Sequence, residues 1–418
     1  MAKDQVDVLV IGAGIVGLSV ALALQARGRQ VVVIDKEGVG AGASFGNAGI
    51  IQAEAVAPYA MPRDLMTLLR IGLNRGHEVR YRLRDLPSYL PFLWRYYHHS
   101  APHRHAQITS HYATLIAKGV GAHERLAARV NAGHLYRRTG WMATYRTAKS
   151  RDAAAAQAEL WRQDYGIRSQ VLDPSALAGE EPHLKPGLAG AVHWTDTHSL
   201  SDPGALLDAM AAQLIDAGGA VMAGDGHSLE KRAQGWQLTV ADSQQVEGAM
   251  AVIATGALAP PLLRKFGCAT HLGIKRGYHQ HFAGQGNATL SRPVADEDGY
   301  VLAPMAAGIR LTSGAELSHP TAPANYAQLR LTESLAREIF PLGDAVTDPP
   351  WRGLRPCSAD MLPSIGAVPN QPGLFAAFGH GHQGLTLGPL TGELLAELMT
   401  EGRSAIDLTP FSVGRFAR

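Results

Sequence analysis

Residues 6–38, VDVLVIGAGIVGLSVALALQARGRQVVVIDKEG, decide the fold. Val6 to Ile11 is a short apolar run suited to a strand buried on both faces, and Ile15 to Ala26 has the apolar density of a buried helix. Arg27-Gly28-Arg29 stops that helix, and VVVID at 31–35 reads as the second strand. Between strand and helix the pattern G-x-G-x-x-G falls at Gly12, Gly14 and Gly17. Gly12 permits the tight turn, Gly14 lets backbone approach a pyrophosphate, and Gly17 lets helix and strand pack closely. Ile15 and Val16 then open a helix whose N-terminus faces the phosphates. Asp35 lies 18 residues beyond Gly17 and ends the second strand, where its carboxylate accepts ribose hydroxyls, with Lys36 beside it. A glycine pattern alone is weak evidence. Strand, helix and acid in these positions make it a dinucleotide site.

At 418 residues the chain is long for one core, so two domains are expected. With 46% hydrophobic and 18% charged residues it is a folded, core-rich protein rather than a disordered one. A net charge of +2 with no concentrated basic face argues against nucleic acid as a partner. Cys268 and Cys357 are too few for a disulfide framework and suit a reducing, cytoplasmic compartment. The apolar N-terminal stretch lacks a basic leader and is broken by glycines, so it reads as neither signal peptide nor membrane span. The protein is expected to be soluble or attached peripherally to the inner face of the cell membrane.

Three further stretches bear on which dinucleotide is bound. KEGVGAGASFGNAGI at 36–50 is a small-residue loop able to wrap a ligand through its backbone; Ala43, Ser44, Asn47, Ala48, Gly49 and Ile50 are its candidate contacts. GAMAVIATGALAP at 248–260 is an apolar strand whose Thr255 and Gly256 again bring backbone near a nucleotide. FGHGHQGLTLGPLTG at 378–392 ends an apolar strand and enters a helix. Together with WRGLRPCSADMLPSIG at 351–366, these motifs occur in an order that resembles the FAD-dependent D-amino-acid oxidase and dehydrogenase superfamily. The resemblance spans nearly the whole chain and is closest to the D-amino-acid dehydrogenase branch, related to glycine and sarcosine oxidases.

The resemblance implies an α/β fold: a discontinuous Rossmann-like FAD-binding domain of residues 1–55, 190–262 and 350–410. Residues 56–189 and 263–349 would form a second, α+β substrate domain on an antiparallel sheet. It implies FAD, held noncovalently, and oxidation of a small D-amino acid by hydride transfer from the α-carbon to flavin N5. Electrons would pass to a quinone, a carrier protein or oxygen; an oxygen-using glycine or sarcosine-type oxidase is the alternative within this chemistry. An NAD-dependent dehydrogenase and a flavin-binding subunit without catalysis are the alternatives outside it.

In the related glycine oxidases the arginine of the segment matching Gly-Leu-Arg-Pro fixes the substrate carboxylate, a role the resemblance gives to Arg355. Arginine suits it because its planar fork meets a carboxylate in two hydrogen bonds. Arg310 and Arg276 are the next candidates, while Arg352 is expected to point elsewhere. His382 stands where related oxidases carry an arginine, a departure compatible with a cyclic amine such as D-proline or D-hydroxyproline. Tyr278, His279, His281, Tyr300 and Arg310 sit on alternating segments able to face the substrate, although a period of two lets only some do so. Gly379, His380, Gly381, Gly384, Leu385 and Thr386 are expected to cradle the flavin, with the amides of the last helix pointing at it. Cys357 is expected to be a buried free thiol, because the covalent-flavin cysteine of sarcosine oxidases lies in a differently spaced segment. Between 86 and 111, the aromatic cluster LPSYLPFLWRYYHH is read as interdomain core, with a membrane or quinone surface as the other reading. The five histidines from His98 to His111 lack a metal-ligand spacing, so no metal is expected.

Overall fold

The structure, a computed structural model, describes residues 5–74 and 76–416. Among these, five strands run parallel in one sheet, in the order Ala220–Ala223, Val31–Asp35, Gln5–Ile11, Gln245–Ile253, Leu374–Phe378. Numbered along the chain, that order is third, second, first, fourth, fifth. It reverses direction between Gln5–Ile11 and Gln245–Ile253, and a crevice opens at the carboxyl ends of strands where such a reversal occurs.

Strand alternation divides the apolar residues between two cores. Val8, Val10, Val31 and Val33 pack on helices Ile15–Gln25, Pro203–Asp216 and Gly384–Glu401. Leu9, Ile11, Val32 and Ile34 face Trp236, Leu262 and Leu263 on the other side. Helix Pro203–Asp216 starts as its sequence predicts, with Asp202 accepting from the amides of Gly204 and Ala205 and proline at the first helical position. The first and last of these helices meet through glycines. A Cβ at Gly388 would lie 2.8 Å from Ile15 Cγ1, and one at Gly392 would overlap the Ser19 backbone. The close crossing sets both helix N-termini at the same crevice.

A larger sheet is built around the 13-residue strand Leu272–Gly284. Trp351–Ser358 pairs with it antiparallel along one edge, and Gly308–Thr312 and Ala315–Leu317 along the other. Two strands expected on the nucleotide side, Gly190–Trp194 and Trp351–Ser358, hydrogen-bond in this larger sheet instead. Their apolar alternation identified strands; it carried no information on which partner would take the backbone hydrogen bonds. Residues 56–130 are mainly helical, with helices Leu65–Gly72, Leu86–His99 and Pro102–Arg129. Of the aromatic cluster, Tyr89, Phe92 and Tyr96 are buried against Leu317 and Cys357, whereas Trp94 is 64% exposed. Among the described residues no helix is long and apolar enough to cross a membrane, and no group of three His, Cys, Asp or Glu could hold a metal ion.

Candidate active site

A cavity of about 1530 Å³ is lined by the carboxyl ends of the parallel strands and by the larger sheet. It exceeds the roughly 300–1,000 Å³ of ordinary small-molecule pockets, which leaves room for a dinucleotide together with a substrate.

The nucleotide end fits FAD on several independent grounds. Gly12 has φ +111°, and a Cβ there would lie 2.5 Å from the Ala254 carbonyl, so only glycine lets the first and fourth strands converge at the crevice. A Cβ on Gly17 would overlap the Gly12 carbonyl; Gly17 is therefore behind the cavity wall, in its packing role. Asp35 Oδ2 accepts from Ala13 N at 2.8 Å and Oδ1 from the amides of Glu37 and Gly38. Oδ1 is thereby filled, whereas Oδ2 keeps one lone pair for a ribose hydroxyl. Thr255 Oγ1 is buried without a hydrogen-bond partner, an orphan that a bound dinucleotide would satisfy. Gly14, Ile15, Val16, Lys36 and Gly256 also line the cavity.

The loop at 36–50 is held by more than its own turns. Arg310 Nη1 donates to the carbonyls of Phe45, at 2.9 Å, and Asn47, while its Nε meets His281 Nε2 at 3.1 Å. Ser44 Oγ accepts from Ile15 N at 3.0 Å. Ala43, Ser44, Asn47, Ala48 and Ile50 face the cavity. Gly49 does not; its φ of +73° and the hydrogen bond from Leu200 N to its carbonyl tie the loop to strand His198–Leu200. Arg310 is thereby committed to the loop rather than to a substrate.

In the C-terminal cradle His380, Gly381, Gly384 and Leu385 line the cavity. Glycine is required at 379 because a Cβ would overlap Ser358 Oγ, and at 381 because φ is +60°. The first of these is a protein contact, and Gly379 does not line the large cavity, so its expected place in the flavin cradle is corrected. Thr386 is fully buried; it accepts from Gln52 N at 3.2 Å and donates to Gln383 at 2.7 Å. His380 is likewise buried, 3.0 Å from Thr391 Oγ1, and burial lowers its pKa to about 4.

At the substrate end, Arg355 lines the cavity with its Nη1 donating to Gly314 O at 2.9 Å. Among the described residues no carboxylate lies within 4 Å of its guanidinium. Burial, opposed by Cys357 and Tyr59, depresses its pKa. The arginine lies over Gly277, where a Cβ would sit 2.5 Å from its Cζ. Directly across the strand pair from Arg355 stands Lys275, also on the cavity. Like charges opposite one another are unfavourable unless an anion joins them. His382 stands beside these cations; burial first, then Arg355 and Lys275, hold it neutral. Tyr59 lines the cavity, is 62% exposed, and meets the His382 ring edge-on at 5.2 Å.

The other candidates divide differently. The Tyr278 hydroxyl accepts from Arg276 and from Asn325 N and donates to Glu316 at 2.6 Å, which uses all of its hydrogen-bonding capacity. Arg276 is fully buried, donating to Ala322 O at 3.0 Å and paired with Glu316 at 3.1 Å. Tyr278 borders the cavity but its hydroxyl is committed to protein partners, and Arg276 does not reach the cavity, so both expectations of a substrate contact are corrected: along a strand of period two, the Arg276 and Tyr278 side chains fall on the face opposite Lys275 and Gly277. Tyr300 borders the cavity but is 1% exposed, beside Asp296 and Arg146. Arg352 donates to Ala322 O at 2.9 Å, away from Arg355. Sequence reasoning missed Lys275 and Tyr59. Only the cross-strand register could have singled out the first, and nothing in the composition around Pro58-Tyr59-Ala60 marks the second.

The FAD dependent oxidoreductase family, DAO, matches residues 7–398. A D-amino-acid oxidase of Bradyrhizobium diazoefficiens is 26% identical over 420 residues, covering 98% of each chain. A D-amino acid dehydrogenase of Xylella fastidiosa is 28% identical over 406 residues, 94% of this chain and 91% of that protein. Among solved structures, glycine oxidase from Geobacillus kaustophilus superposes with a TM-score of 0.74 at 24% identity, covering 99% of both chains.

Proposed function

The chain belongs to the FAD-dependent oxidoreductase family, and on that premise we propose that it dehydrogenates a small amino acid of D configuration. The coarser activity, FAD-dependent oxidation of an amino acid at its CH–NH₂ group, follows from the family and its relatives. When bound, FAD supplies the acceptor for the hydride equivalent leaving the α-carbon.

The observation that carries the reading is Arg355, a cation facing the cavity without a counter-ion. It is placed to take the substrate carboxylate in a bidentate pair, with Lys275 adding positive potential from across the strand pair. The substrate binds with its amine deprotonated, that proton having gone to water, and neutral His382 accepts a hydrogen bond from the amine N–H, so the nitrogen lone pair is available when the α-hydrogen departs. Tyr59, edge-on to His382, offers an apolar ring beside the reacting carbon. FAD itself would be held by Gly12, Gly14, Asp35 and Thr255 at the nucleotide end and by the 43–50 loop and Gly381–Leu385 at the ring end. Cys357, buried and with its thiol pKa raised by burial, suits a noncovalent cofactor. We assign the two halves by sheet: the parallel sheet with its helices to FAD, and the larger sheet, including Gly190–Trp194 and Trp351–Ser358, to the substrate.

A lipid-soluble acceptor such as a quinone is favoured by one surface feature. Helix Leu65–Gly72 has no buried residue, and Leu65, Met66, Leu69 and Leu73 are all more than half exposed. Leu68 and Ile71 of this helix and Leu90 and Leu93 of the next border the large cavity, so an apolar, membrane-facing surface would adjoin the site. The test is anaerobic bleaching of the FAD-loaded enzyme by D-, L- and N-alkyl amino acids, proline and hydroxyproline included, followed by reoxidation with air or a soluble quinone. Bleaching by no amino acid refutes the function. Faster reoxidation by air than by quinone refutes the acceptor.

A further inference from the structure

A second cavity, about 240 Å³, adjoins the first. Tyr59, Lys275 and His382 line both, so they form the partition. Beyond it the walls are aromatic, with Tyr112, Tyr145, Trp161 and Trp194, the last two rings standing 5.5 Å apart, and Trp141 borders both cavities. One acidic group lines this cavity, Glu54, at 3% exposure. Its Oε1 accepts from Gln52 at 2.5 Å and its Oε2 from Thr197 at 2.6 Å. Among the described residues no Lys, Arg or His nitrogen lies within 4 Å of it.

A carboxylate in an aromatic enclosure without a cation is costly, because two neutral donors replace only part of its hydration. Burial raises its pKa against hydrogen bonds from Thr197, its own backbone, Gln52 and Trp141. Aromatic faces and a carboxylate together are the chemistry that recognises ammonium and guanidinium groups. The charges are also ordered along the two cavities. Arg355 lines only the first, Lys275 both, and Glu54 only the second. That order suits a ligand with an anion at one end and a cation at the other.

We propose that the second cavity is the side-chain pocket of the substrate, and that Glu54 selects amino acids whose side chain ends in a cation, an ammonium or guanidinium. The proposal rests on the amino-acid reading above, with the α-carboxylate on Arg355 and the side chain passing the Tyr59–His382 partition.

The test uses the FAD-loaded enzyme and pairs in which a terminal methyl replaces the ammonium. Lysine should exceed 2-aminoheptanoate of the same configuration by at least about tenfold in kcat/KM, about 1.4 kcal/mol, with the difference in KM. In a binding experiment without turnover, 6-aminohexanoate should perturb the flavin spectrum at a concentration about tenfold below that needed for heptanoate. E54Q should bring both ratios close to one. Should that variant fail to fold, the two wild-type ratios decide alone. 2-Aminoheptanoate or proline matching lysine, equal binding of the two acids, or E54Q with its ratios intact would each overturn the proposal. Bleaching by neutral amino acids in those cases would leave the dehydrogenase reading standing; bleaching by none would remove both.

Discussion

Replacing Arg355 by methionine separates substrate binding from cofactor binding. The guanidinium sits below the surface with no carboxylate near it, held by the carbonyls of Gly314, at 2.9 Å, and Ser313, at 3.5 Å. In the free enzyme its loss removes a desolvated charge along with two hydrogen bonds to neutral oxygens, so the change in folding stability is small. In the complex its loss leaves the substrate carboxylate facing only Lys275. Truncating one partner of a buried charge pair costs about 2–5 kcal/mol, which is about 30-fold to about 5,000-fold in affinity. Anaerobic stopped-flow bleaching, with FAD content measured on the same sample, reads both effects. R355M should retain FAD and a melting temperature close to wild type, while substrate Kd rises by that factor. R355K should fall between, because one ammonium cannot reproduce the bidentate fork. If R355M binds substrate within about threefold of wild type, Arg355 is not the anchor and the placement of the substrate is wrong.

Other perturbations test neighbouring parts of the site. G277A puts a methyl 2.5 Å from Arg355 Cζ, so it should raise KM by at least about tenfold with FAD content unchanged, as kinetics and absorbance would show. T255V removes a buried hydroxyl with no protein partner; apoprotein stability should hold or rise by up to about 1 kcal/mol while FAD Kd increases, and the reverse pattern in a titration would refute its role. His123 and His380 are buried with pKa values lowered to about 4. The unfolded chain therefore binds protons first, and the stability these groups contribute, complete above about pH 6.5, is lost as pH falls toward 4. The slope should approach about 1.4 kcal/mol per pH unit for each, and denaturant midpoints that stay level from pH 7 to 5 would exclude it. Iodoacetamide should label Cys357 much more slowly in the folded than in the unfolded protein, since it is 8% exposed and burial raises its pKa, and equal labelling rates by mass spectrometry would contradict this.

The nucleotide half was legible because its information is local. Gly12, Gly14, Gly17 and Asp35 lie within one strand–helix–strand unit, and their spacing alone fixes what they can do. The substrate half depends on pairing between distant strands. Lys275 meets Arg355, and Gly277 makes room for it, only through the register of Leu272–Gly284 with Trp351–Ser358. A residue-by-residue reading of GIKRGYHQHF finds two cations and an aromatic but not which face the cavity occupies, which is how Tyr278 and Arg276 came to be favoured over Lys275. Glu54 was invisible for a related reason. Its aromatic surroundings come from positions 112, 141, 145, 161 and 194, brought together from separate elements of the chain.

The glycine contact between helices Ile15–Gln25 and Gly384–Glu401 sets a timetable for biosynthesis. The two helices are about 370 residues apart in sequence. At roughly 5–20 residues per second, the first waits roughly 20 to 70 s on the ribosome before its partner is made. Until then the crevice lacks the wall bearing Gly381 and Leu385, and Ile15 and Ser19 face no glycines. Cofactor capture thus waits on synthesis of helix Gly384–Glu401. A chain cut short before residue 384 would leave the ribosome with its nucleotide turn complete and nothing to close it, a product recognisable to the cell as unfinished by the bare apolar flank of its first helix.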